Sequence, residues 1–284
     1  MRLAGAITQG SGAVNEDGFG VIADGGDVSA VWVFDGVTGI NGRNYLPGES
    51  DAQWLVTQAH KHLVRLACAD LTLPAILADL VAKLIADWTD VAAGLALPDG
   101  YDRPAACLVL VKRYADGWRA LRLGDSCLLA QYDDSASRVA AASPNNSFDK
   151  WLSGEARKRR DAGLLDIKEL LAKFRPQLVA ARRKRNQPGG YSILEADLAS
   201  LRMPEYLDLG HPRALLLCTD GFYRAVDHYC LHSDESLIAA SLAMGGVEQV
   251  LAALRAVEAD DPACEKYLRF KPADDATAVM LRRD

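Results

Sequence analysis

An α+β fold built on antiparallel sheet follows from three features of the sequence. Short Val/Ile/Ala-rich runs are bounded by Gly or Asp, two long apolar repeats at helical spacing interrupt them, and a strand meander is closed by a tight turn. The first runs, 2–8, 18–23 and 28–34, read as strands of an N-terminal sheet. Two long amphipathic helices come next. Ser50 and Asp51 are suited to cap one over 50–69, where Trp54, Leu55, Leu63 and Leu66 share a face. A second, over 73–93, carries Ile76, Leu77, Leu80, Leu84, Ile85 and Trp88. Strand character returns at 105–114, 118–123 and 127–132, and Ala115-Asp116-Gly117 makes the hairpin turn between the first two.

Residues 143–212 break this pattern. Pro144-Asn145-Asn146, a charged helical stretch near 164–181, the turn Gln187-Pro188-Gly189-Gly190 and Pro204 mark an inserted flap. A buried strand at 213–218, helices at 235–243 and 246–259, and a closing strand at 276–281 complete the chain. No Gly/Ser- or Pro-rich linker divides the 284 residues, so a single domain, 1–284, with the 143–212 insertion is expected. Half of the residues are hydrophobic, enough for a sizeable core.

The formal net charge of -6 hides an asymmetry. Between Lys150 and Arg185 there are twelve Lys/Arg against four Asp/Glu, so a basic segment rides on an acidic body. The body's charge, and the absence of aromatic residues among the basic runs, argue against nucleic acid as a partner. The six cysteines show no CxxC spacing and read as reduced thiols. The first residues turn polar too soon for a signal peptide, and no run of about 18 apolar residues occurs, so a cytoplasmic protein with no membrane contact is expected.

The chemistry lies in five acidic patches: Glu16-Asp17, Asp35-Gly36, Gly124-Asp125-Ser126, Thr219-Asp220-Gly221 and Asp274-Asp275. Carboxylates at strand ends can converge into a cage of hard oxygen ligands for divalent cations. A cage of carboxylates alone suits Mg²⁺ or Mn²⁺, whereas Zn²⁺ prefers His and Cys. None of the five histidines adjoins a patch. No GxxxxGK[ST] loop and no GxGxxG after a strand is present, which argues against nucleotide cradling. The Asp35 loop also lacks the nucleophilic Asp of haloacid dehalogenase-type phosphatases, because Val33 stands there. Two ions bridged by one carboxylate would activate a water for in-line attack on phosphorus without any protein nucleophile.

The series Asn15-Glu16-Asp17, Phe34-Asp35-Gly36, Leu123-Gly124-Asp125-Ser126, Cys218-Thr219-Asp220-Gly221 and Asp274-Asp275-Ala276-Thr277 resembles the metal-dependent protein phosphatases of the protein phosphatase 2C type, from residue 15 to 281. The resemblance implies two antiparallel sheets packed as a sandwich flanked by helices, in α-β-β-α layers, with an inserted flap. It implies hydrolysis of phosphoserine and phosphothreonine in a phosphorylated protein substrate, with Mn²⁺ or Mg²⁺. By motif, Asp35 would bridge both ions, the Gly36 carbonyl and Glu16 would hold the second, and Asp220 and Asp274 the first. Asp17 would hold a metal-bound water. Asp125, with Asp220, would hold the third, weaker ion of bacterial members, and Asp275 would stand behind the ligands.

Two positions depart from the family pattern. Its phosphate-gripping Arg falls on Gly12 and its motif His on Val37. Arg43 and the runs Arg157-Lys158-Arg159-Arg160 and Arg182-Arg183-Lys184-Arg185 are the candidate substitutes for the lost cation. The departures also leave open a feebly active module that binds phosphorylated partners. Hydrolysis of a small phosphorylated metabolite is a further alternative.

Overall fold

The structure, a computed structural model, describes all residues except 134–136, 141–146, 164–168, 170, 171 and 284. Its strands are β1 (Arg2–Gln9), β2 (Gly18–Asp24), β3 (Asp27–Val37), β4 (Ala105–Tyr114), β5 (Gly117–Leu123), β6 (Cys127–Gln131), β7 (Ser137–Ala140), β8 (Leu194–Glu195), β9 (Glu205–Gly210), β10 (Ala214–Cys218) and β11 (Ala276–Arg282). Its helices are α1 (Asp51–Leu66), α2 (Leu73–Ala92), α3 (Ser147–Asp161), α4 (Arg175–Arg182), α5 (Asp220–Asp227), α6 (Asp234–Leu242) and α7 (Gly246–Ala259).

Two antiparallel sheets form, one ordered β1-β11-β10-β6-β7 and the other β2-β3-β4-β5-β9, with β8 added against β4. Strand parity sorts the core into three layers, because successive side chains point to opposite faces. On β3 and β4, Trp32, Phe34, Leu108 and Leu110 face α1 and α2. Their neighbours Val31, Val33, Val109 and Val111 meet Leu128, Leu215, Leu217, Val279 and Leu281 of the other sheet. That sheet's outer face, with Leu216, Cys218, Ala278 and Met280, is covered by α5, α6 and α7 through Phe222, Leu237, Ile238 and Leu254. The expected α-β-β-α sandwich is therefore present.

The long helices start where side chains can satisfy their free N–H groups. Ser50 Oγ accepts from Gln53 N at 3.0 Å, Thr72 caps α2 with Pro74 in its first turn, and Ser233 and Ser236 form a capping box on α6.

Several elements differ from the sequence expectation. Within 143–212, β8 and β9 join the main sheet, β9 pairing with β5 from Arg122↔Glu205 to Trp118↔Gly210. Helix α3 carries the first basic run, where no helix was expected. Its cue was weak because its mean hydropathy is low; Ala156 of this helix is buried against Leu268, Phe174 and Phe270. The expected helix at 164–181 appears as α4, while 164–168, 170 and 171, like Pro144-Asn145-Asn146, lie outside the described residues. All six cysteines are free thiols. Among the described residues, no helix is long and apolar enough to cross a membrane.

Candidate metal centre

The same parity that builds the inter-sheet core aims the acidic patches at one edge of the sandwich. Val31 and Val33 face the opposing sheet, so two residues further Asp35 follows them, and its cross-strand partner Cys107 continues the row of Val109 and Val111. On the other sheet, Leu215 and Leu217 lead to Thr219, and Leu281 and Val279 lead to Thr277 and Asp275. The turn after β5 brings in Asp125. Gly124 adopts φ +86 there, directly over Cys107, where a Cβ has no room.

Ligand-type atoms of Asp35, Cys107 and Asp125 lie within 4.8 Å of one another, and the Cys107 thiol donates to Asp125 Oδ1 at 3.0 Å. Burial, reinforced by Asp125 and Asp35, pushes that thiol well above its usual range. Cys107 thus stands as a hydrogen-bond partner of Asp125, and the carboxylates around it supply the hard oxygen donors. Asp17 accepts from Thr219 Oγ1 at 2.8 Å, and the same hydroxyl accepts from Thr277 N at 2.9 Å. Thr219 consequently does not cap α5, whose first residue is Asp220.

The N-terminal loop is tied down by Asp275, which accepts from Ser11 N and Ser11 Oγ on one oxygen and from Glu16 N, 2.8 Å away, on the other. A Cβ at Gly36 would lie 2.5 Å from the Glu16 carbonyl oxygen, so only glycine lets these two patches meet. Thr38 Oγ1 donates to Glu16 Oε2 at 2.6 Å.

Electrostatics shows what this convergence costs. Burial first, then Asp220, Asp17, Asp125 and Asp274, drive the Asp35 carboxyl well above the usual carboxylate range. Asp17 is pushed up to about 8, chiefly by burial and next among the raising causes by Asp220, against the Thr219 hydrogen bond. Asp274 is raised by burial and Asp220, offset in part by Arg224 and Lys271. Asp227, on the last turn of α5, is pushed to about 6 by burial and Asp220. Acids that are packed together and lack enough counter-charge are the electrostatic mark of a cation site. Oxygen donors of this kind fit a hard divalent ion of the magnesium or manganese class.

Cations touch the cage at one carboxylate. Arg224 Nη2 donates to Asp274 Oδ2 at 2.9 Å, Lys271 Nζ pairs with Asp274 Oδ1, and Arg255 Nη2 holds the Asp274 carbonyl at 2.6 Å. Sequence reasoning missed Cys107, Arg224 and Lys271. Only the parity of β4 could have flagged Cys107, and the two cations lie 50 and 3 residues from the acid they serve.

Several of the cations proposed from sequence have partners of their own. Arg43 stacks on Tyr45, its guanidinium 4.5 Å from the ring centroid. Arg182 and Arg185 both pair with Asp102, and Arg160 donates to the Glu265 carbonyl at 3.0 Å. Nothing lies within 4 Å of a Cβ built on Gly12, and Val37 packs with Ala105, Cys107 and Ile193.

Solved structures share this arrangement of elements. The chain superimposes on the serine/threonine phosphatase PstP/Ppp of Mycobacterium tuberculosis with a TM-score of 0.57 at 14% identity, covering 97% of this chain and 96% of that one. It superimposes on the serine/threonine phosphatase Stp1 of Staphylococcus aureus with 0.56 at 14%, covering 100% and 98%. A catalytic domain of PstP in complex with two manganese ions gives 0.53 at 15%, covering 97% and 95%. At such identities these likenesses establish the fold. No curated protein matches the chain in sequence. The sequence does match the family described as protein phosphatase 2C over residues 4–258, and the chain belongs to that family of metal-dependent protein serine/threonine phosphatases.

Proposed function

We propose that residues 1–284 act as one catalytic domain that hydrolyses phosphomonoesters, foremost phosphoserine and phosphothreonine in proteins, with two divalent ions, Mn²⁺ or Mg²⁺, held by the acidic cage. The observation that carries this reading is the collective rise of the Asp17, Asp35 and Asp274 carboxyls, each driven by burial and by its acidic neighbours. In the proposed assignment Asp35, Glu16, the Gly36 carbonyl, Asp220 and Asp274 would hold the two ions. Asp125, with Asp220, takes a third and weaker ion. Such a pair of ions, when bound, supplies a nucleophilic water near neutral pH and neutralises the phosphoryl oxygens.

The chain's own groups do the rest. Asp17, fixed by Thr219, orients the attacking water and receives its proton. Arg224 and Lys271 lie against Asp274, and their charge is raised in persistence because Asp274 and Asp220 outweigh the burial that opposes it. They place positive charge where a phosphoryl dianion meets the cage. The basic part of the insertion lies beside the site, tied to it through α4 by Arg175 and Arg182.

The test is phosphate release from phosphopeptides and from small phosphoesters across a Mn²⁺ titration, with Asp35→Asn beside the parent. Metal-dependent turnover of phosphopeptides that vanishes in the variant is expected. Preference for small esters would move the substrate class to metabolites. A silent parent that still binds phosphopeptide would favour the second reading, a binding module, for which Gly12 and the apolar packing of Val37 speak.

A further inference from the structure

The flap's second basic run is built into the body of the protein, and two consecutive hydrogen bonds lead from Arg182 to Glu16. Arg182 Nη1 donates to Asp102 Oδ2 at 3.0 Å, and its Nη2 donates to the Thr38 carbonyl at 2.6 Å. Thr38 Oγ1 in turn donates to Glu16 Oε2 at 2.6 Å. The loop between is clamped from both sides. Arg175 Nη2 donates to the Ile40 carbonyl at 2.6 Å, while Asn41 exchanges two 2.8 Å hydrogen bonds with the Asp102 backbone. Arg185 adds a second cation to Asp102 and a 3.4 Å contact to Glu195. The Arg182, Arg185 and Asp102 side chains are only 12%, 9% and 14% exposed, so water screens these pairs weakly.

We propose that Arg182 and Thr38 are positioning residues that couple docking of the flap to the orientation of Glu16, and so to the affinity of the ion that Glu16 holds. This inference rests on the reading of Glu16 as a metal ligand. With the flap docked, Arg182 fixes the Thr38 backbone, and the Thr38 hydroxyl then holds one Glu16 oxygen in place. A ligand carboxylate fixed by a hydrogen bond behind it binds metal more tightly than one free to rotate, and loss of such a partner lowers affinity by about 10- to 100-fold. When Arg182 lets go of the Thr38 carbonyl, Thr38 is released and Glu16 turns freely. Coupling of this kind is reciprocal: metal binding must hold the flap down to the same degree that the docked flap tightens metal binding. A partner that pulls on the flap would thereby loosen an ion in the catalytic centre.

The test is calorimetric titration of Mn²⁺ into the parent protein and into Thr38→Val, Arg182→Gln, the double variant and Glu16→Gln, with metal-free melting curves confirming that each is folded. Thr38→Val leaves the carbonyl that Arg182 engages, so it breaks the path without undocking the flap. Each single flap-path variant is expected to weaken one class of Mn²⁺ site by roughly tenfold. The double variant is expected to be no worse than the weaker single variant, and Arg182→Lys, which keeps one donor, to fall between. Hydrogen exchange of residues 38–41 is expected to slow on Mn²⁺ addition in the parent and to be insensitive to it in Arg182→Gln. If Glu16→Gln loses affinity while Arg182→Gln binds as the parent does, or if the single losses add, the coupling is overturned and the site assignment stands. If Glu16→Gln binds Mn²⁺ as the parent does, both fall.

Discussion

Two groups of buried acids in this protein have been pushed in opposite directions. Asp261 is 6% exposed, yet its carboxyl is held well below the usual carboxylate range. Burial alone would raise it, but the N–H groups of Glu265, Lys266 and Tyr267 and the Arg269 guanidinium at 2.6 Å all donate to it. Asp35 and Asp17, at the sandwich edge, have acids for neighbours, and burial and those neighbours raise both. The same side chain is structural where donors saturate it and reactive where they are withheld. The 261–272 loop, fixed by the first kind of acid, presents Lys271 to the second kind.

The largest expected effect comes from breaking the frustrated group. Asp35→Asn should abolish metal-dependent phosphate release, a loss on the order of 10³-fold if the ions supply several kcal/mol of transition-state stabilisation. The same change removes a carboxyl that the metal-free fold must keep protonated at a cost, so at neutral pH the metal-free melting temperature should rise, which calorimetry checks. Breaking the satisfied group should do the reverse. Arg269→Leu leaves Asp261 buried with a charge partner missing, and urea unfolding should show a loss of about 3–5 kcal/mol.

The comparison sharpens with pH. Folding holds the Asp17 proton more tightly than the unfolded chain does, so between the ordinary value of 3.8 and about 8 the native state carries more protons. Metal-free stability should therefore fall as pH rises through that window, and saturating Mn²⁺ should flatten the slope. The Asp261 contribution has the opposite sign: it is present above the ordinary carboxylate range and is lost as pH falls below it. Melting curves in chelator from pH 3 to 9 should accordingly show a maximum on the acid side, about pH 4–5. The smallest effect is at Lys271, whose side chain is 47% exposed. Lys271→Gln should raise KM for phosphopeptide by a few fold, in keeping with about 1 kcal/mol or less for a screened charge.

The sequence reading and the structure agree where information is local. The apolar, Val/Ala-rich run 28–34 and helical spacing in 50–69 and 73–93 located β3, α1 and α2 to within a few residues, because each is set by near neighbours in the sequence. The acidic patches were visible because each is flanked by small residues or ends an apolar run. Their counter-ions were not. Arg224, Asp102 and Cys107 acquire their roles from partners 18 to 83 residues distant, and no periodicity encodes such meetings. Helix α5 was missed for a related reason: Asp220 and Gly221 read as a turn, yet glycine is required there because a Cβ would strike the Asp275 carbonyl.

Diffraction at the manganese edge from crystals soaked in Mn²⁺ tests the central claim most directly. Two strong anomalous peaks are predicted, both touching Asp35, one also touching Asp220 and Asp274 and the other touching Glu16 and the Gly36 carbonyl, with a weaker third at Asp125 and Asp220. An empty cage at saturating Mn²⁺, or peaks that leave Asp35 untouched, would contradict the account.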